Sequence, residues 1–171
     1  MTAPAGAATV SLMPETTTTW RLGPTARKTV LTIHIAASVG LLGTTSGTLL
    51  LAATAATTGD AAFADAIYRL ASAFTVTFGI PLSLLALVSG IAIGAGTRWG
   101  VLRYWWTTAK LLLIVGVMAN GALNIGMTVD GLRQGDGSEA RLIVGTAASV
   151  GMLLVATALS TFKPGPRRRA A

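Results

Sequence analysis

Four stretches of this chain are apolar for twenty residues or more, at about 30–56, 72–95, 107–129 and 142–162. None holds an acidic residue, and Lys110 is the one Lys or Arg inside any of them. A helix needs roughly 20 apolar residues to cross the ~30 Å hydrocarbon core of a bilayer. Apolar residues do not alternate with a period of two, and Leu, Ala and Val are spread all round each run. In lipid, helices and closed barrels are the structures that satisfy the backbone, so these runs predict helices. Links of about ten to fifteen residues (57–71, 96–106 and 130–141) make neighbours antiparallel. The expected fold is all-α, a polytopic four-transmembrane-helix antiparallel bundle over residues 29–163.

Composition excludes the main alternatives. Charged residues make up 11% of the 171 and hydrophobic residues 52%, against about 25% charged in a soluble domain. A chain so poor in charge cannot cover a water-facing surface, which argues against a soluble enzyme or a free DNA-binding domain. There is no Cys, so disulfides, thiolate metal sites and Cys catalysis are ruled out. Residues 1–28 read as a disordered tail rich in Ala, Thr and Pro, without the basic start and immediate apolar core of a secretory signal. Residues 164–171 read as a basic tail, with Pro164 and Pro166 ending the last helix.

The net charge of +7 resembles a nucleic-acid signal until the positions are read. With the N-terminal tail inside, the cytoplasmic side holds Arg21, Arg27, Lys28, Arg98, Arg103, Lys110, Lys163, Arg167, Arg168 and Arg169. That is ten of the 13 basic residues, leaving Arg69, Arg133 and Arg141 outside. Basic residues near helix ends stay in the cytoplasm, so both termini are expected inside a bacterial cytoplasmic membrane. Arg167–Arg169 then reads as a stop signal touching anionic lipid heads, and no nucleic acid is implied. Arg98, Trp99, Arg103, Tyr104, Trp105 and Trp106 form an aromatic and basic loop, expected at headgroup level.

Polar groups inside a membrane are the natural candidates for function. His34 and Lys110 fall at similar depth near the cytoplasmic end of their helices. Lys110 fits an anchor whose ammonium snorkels to the interface. His34 fits a cross-helix hydrogen bond, a proton relay, a haem ligand or a quinone contact. A second layer lies just outside the midplane. Asn120 and Asn124 share one face, and Pro81 frees the carbonyl of Thr77. Thr44, Thr45, Ser46 and Ser149 reach that level. The Asn amides are expected to bond the Thr77 carbonyl and tie the second helix to the third, as packing or around a small polar cavity. Pairs of small residues at spacing four, Gly43/Gly47, Gly90/Gly94 and Ala147/Gly151, predict close helix approach, within the chain or with a second copy.

No carboxylate pair, phosphate-binding glycine loop, Ser-His-Asp set or metal cluster appears, so no catalytic or metal site is expected. The leading expectation is a non-enzymatic membrane protein acting through helix, lipid or partner contacts, with no cofactor. A small transporter or carrier subunit using the polar layer, and a haem- or quinone-linked redox protein using His34, are the alternatives.

The stretch 81–112 reads PLSLLALVSGIAIGAGTRWGVLRYWWTTAKLL. It resembles an uncharacterised family of small four-helix integral membrane proteins common in actinobacteria. In that family an apolar helix ends in a Gly-Thr-Lys/Arg-Trp-Gly turn, an aromatic segment follows, and the next helix opens with Lys-Leu. The matching residues are Gly96, Thr97, Arg98, Trp99 and Gly100, then Arg103, Tyr104, Trp105 and Trp106, then Lys110 and Leu111. The likeness spans about residues 27–130 and implies the fold and membrane location, without an activity. A fainter likeness is to copper-resistance-type and b-type-haem membrane domains, which carry a His early in a helix.

Overall fold

The computed structural model describes residues 22–96, 104–123, 131 and 138–162. Among these there is no strand. The elements are α1 (Pro24–Thr57), α2 (Ala61–Phe74), a π turn (Thr75–Gly79), α3 (Ile80–Ala95), α4 (Trp105–Gly121) and α5 (Glu139–Phe162). Three helices among the described residues are long and apolar enough to cross a membrane: α1, the continuous Ala61–Ala95 unit, and α5. The two tails, 1–21 and 163–171, lie outside the described residues.

Local chemistry explains the ends. Pro24 occupies the first turn of α1, where a missing N–H costs nothing. Asp60 caps α2, its Oδ1 accepting from the N–H of Ala62 at 2.9 Å and of Phe63 at 3.2 Å. This cap corrects an expectation. The stretch 57–71, expected as a link between two apolar runs, is a break at 58–60 followed by helix. Asp65 and Arg69, one turn apart, form an exposed pair at 2.6 Å that suits a helix surface. The second helix therefore begins at Ala61, not near 72.

Pro81 has a different consequence from the one expected. The N–H of Ile80 reaches back five residues to the carbonyl of Thr75. A proline ring clashes with the carbonyl four residues earlier. Widening the preceding turn by one residue relieves that clash, so α2 and α3 continue as one helix through the π turn.

α1 is the centre of the packing. It packs on α2, α3 and α5, while α4 packs mainly on α5 and more lightly on α3. Two apolar clusters hold the assembly. Ala52, Ala55, Ile67, Tyr68 and Leu142 gather near the C-terminal end of α1. Leu41, Val117 and Leu153 join α1, α4 and α5 further down. The outward side chains are also apolar: Val39, Leu50, Leu112 and Val144 are each about two-thirds exposed. Water would penalise such a surface, whereas lipid tails match it. At 34 residues and about 1.5 Å per residue, α1 is about 51 Å long, so its ends project beyond an apolar core of about 30 Å. Arg27 and Lys28 lie on its exposed first turns.

Candidate functional site

Between the two apolar clusters lies a cavity of about 420 Å³. Thr44, Thr45 and Thr48 of α1, Thr75 and Gly79 of the π turn, Ser83 of α3, Asn120 of α4, and Thr146 and Ser149 of α5 line it. Of the polar layer expected just outside the midplane, Thr44, Thr45, Asn120 and Ser149 border this space. Among the described residues, no Asp, Glu, Lys, Arg or His lines it.

The lining is more apolar than its composition. Thr44 donates to the carbonyl of Gly40 at 2.9 Å, Thr45 to Leu41 at 2.8 Å, and Thr48 to Thr44 at 3.0 Å. Ser83 donates to Ile80 at 2.8 Å and Thr146 to Leu142 at 2.7 Å. Each hydroxyl proton is returned to its own helix, as Ser and Thr commonly do inside helices. The surface left facing the cavity is mostly carbon.

Asn120 does not take its expected partner. Its Nδ2 donates to the Gly145 carbonyl and, at 2.7 Å, to Ser149 Oγ, tying α4 to α5 and not to the Thr77 carbonyl. Thr77, within the π turn, and Pro81, just after it, are exposed and do not line the cavity. Ser46 is exposed as well. Asn124 lies outside the described residues. Several lining residues were missed from sequence: Thr48, Ser72, Thr75, Ser83 and Thr146. A helical spacing was there to find them, since Thr44 and Thr48 are four apart and Thr146 and Ser149 three apart.

His34 lies two turns below the cavity and is not part of it. Its Nδ1 is 3.0 Å from both the Ala86 carbonyl and Ser89 Oγ of α3. Ser89 gives its own proton to the Leu85 carbonyl, and a carbonyl can only accept, so Nδ1 carries the ring proton. A neutral imidazole so held presents Nε2 as its acceptor. Gly90 makes room for the ring, because a Cβ there would sit 3.1 Å from His34 Cε1.

Lys110 is held from two sides. Its Nζ donates to Ser160 Oγ of α5 at 3.1 Å and lies 4.8 Å from the centre of the Trp106 ring. The aromatic segment departs from a simple headgroup belt. Tyr104 and Trp106 are buried in the protein, with ring centroids 5.8 Å apart, while Trp105 is exposed. Arg98, Trp99 and Arg103 lie outside the described residues.

Of the small-residue pairs, a Cβ at Gly47 would sit 3.3 Å from Phe74 Cε1, whereas a Cβ at Gly43 or Gly151 would meet nothing within 4 Å. Gly96 receives Leu22 so closely that a Cβ would lie 2.5 Å from it, joining the start of α1 to the end of α3. Comparison with known proteins finds no matching family model, curated protein or solved structure.

Proposed function

We propose that this is a four-span protein of a bacterial cytoplasmic membrane that holds a small neutral molecule at mid-membrane. It acts without covalent catalysis, as a carrier or carrier subunit. The cavity of about 420 Å³ carries this reading, because small-molecule sites are mostly apolar clefts of about 300–1,000 Å³. The absence of ionisable side chains from its described lining favours a neutral guest, since a charge left unpaired in a membrane is costly.

In this reading α4 belongs to the fourth span, and both termini lie in the cytoplasm. The distribution of basic residues supports that orientation. The likeness to the small actinobacterial membrane proteins supports the four-span layout. Lipids are the immediate partners of the outward apolar side chains, and a second copy or another membrane protein would complete a carrier assembly.

Mass analysis of small molecules that co-purify from native membranes tests the proposal. Wild-type protein is expected to retain a neutral molecule that Thr45→Phe, which fills the cavity, has lost at an unchanged melting temperature. The same molecules on both proteins, or none on either, would contradict it.

The tautomer of His34 favours a second reading. Its Nε2 lone pair suits a quinol hydroxyl or one axial position of a haem. A Soret band or a bound quinone lost in His34→Ala would support this; neither in the wild type would remove it.

A further inference from the structure

We infer that the guest of the cavity is a neutral amphiphile carrying a hydrogen-bond donor, a phenol or an alcohol on a short apolar body, and that it enters from the bilayer between α3 and α4. This rests on the carrier reading and specifies its cargo.

The hydrogen bonds in the wall carry the first part. Thr44, Thr45, Thr48, Ser83 and Thr146 all spend their protons on helix carbonyls. With the proton of Thr48 committed, the 3.4 Å contact between Thr48 and Thr75 Oγ1 is donated by Thr75. Both amide hydrogens of Asn120 are placed on α5. What the hydroxyls of Thr44, Thr45, Thr48, Ser83 and Thr146 keep is oxygen lone pairs. A guest with only acceptors, such as an ether or a ketone, meets no proton at these five hydroxyls, while a hydroxyl meets an oxygen at each. Thr45 is the best placed, being half-buried where Thr44, Thr48, Ser83 and Thr146 are buried. An ammonium would also donate, but no carboxylate among the described lining residues compensates its charge. The mostly carbon wall suits an apolar remainder.

The packing carries the second part. α3 and α4 pack on each other more loosely than α1 does on α3 or α4 does on α5. On that side, Val76 and Ile80 line the cavity and are also 56% and 50% exposed. Ala122, beyond α4, both lines the cavity and is exposed. On that side the cavity is bordered by residues that also face the apolar outer surface.

The chain has no cysteine, so Met118→Cys gives a unique thiol on the cavity wall. Its rate of modification by methyl methanethiosulfonate is measured in full-length protein in lipid nanodiscs, with 4-pentylphenol, its methyl ether or glycerol present. The phenol is expected to protect about fivefold better than the ether at equal membrane concentration, as one net hydrogen bond allows. Thr45→Val in the same background is expected to shrink that difference. Glycerol, which arrives from water, is expected to give no protection. Equal or better protection by the ether overturns the donor requirement, and that comparison stands even if Thr45→Val fails to fold. Protection by glycerol overturns entry from lipid. If neither aromatic compound protects and the thiol reacts as fast as an outward Leu112→Cys, the carrier reading itself falls.

Discussion

At the level of single residues, the polar groups within the membrane were legible but their partners were not. His34 and Asn120 stand out because apolar runs surround them. Which carbonyl each one meets depends on how each helix is rotated about its axis, and no spacing within one helix fixes that. Asn120 consequently meets Gly145 and Ser149, not the carbonyl freed by proline. Asn120→Leu is expected to cost about 1–2 kcal/mol in a thermal or denaturant unfolding measurement, the range of interhelical polar ties in membranes. Ser46→Ala, on the exposed face, is expected to cost almost nothing, and equal losses from the two would contradict the assignment. Gly90 gives a second test. Gly90→Val crowds the imidazole of His34 and is expected to destabilise by about 1–3 kcal/mol, as overpacking does. Adding His34→Ala makes room, so the double variant should lose less than the sum of the two single ones. Strict additivity would mean that the ring and the glycine do not touch.

At the level of elements, long apolar runs are read easily because a bilayer dictates their length. Their ends are harder. The start of the second helix was hidden by Asp65 and Arg69, which look like loop charges in sequence yet lie one turn apart on a helix surface. Asp60→Ala removes the cap and is expected to cost about 1 kcal/mol, measured as a drop in unfolding free energy without loss of the remaining helix by circular dichroism. The π turn is also illegible, because a proline in a helix can be met by a kink, a break or a widened turn, and packing decides between them. Pro81→Ala removes the clash that widens the turn. A regular α-helix then rotates Thr75 and Val76 relative to the cavity. The expected result is unchanged or greater thermal stability together with altered labelling at Met118→Cys. Stability and labelling both unchanged would show that the turn does not depend on Pro81.

For the molecule as a whole, the all-helical membrane architecture was legible from four apolar runs and the scarcity of charge. The cavity was not, because an empty volume is a property of several helices together. Thr and Ser at helical spacing announced a polar layer, but only the hydrogen bonds reveal that the protons of Thr44, Thr45, Thr48, Ser83 and Thr146 turn away from the space. The central claim is that this space lies inside the bilayer, halfway through it. It is tested most directly by a nitroxide attached to Thr45→Cys in lipid nanodiscs, comparing its spin relaxation by oxygen, which concentrates among lipid tails, with that by a water-soluble nickel chelate. The account predicts strong relaxation by oxygen and almost none by nickel. Ready relaxation by nickel would put the site in water and contradict the account.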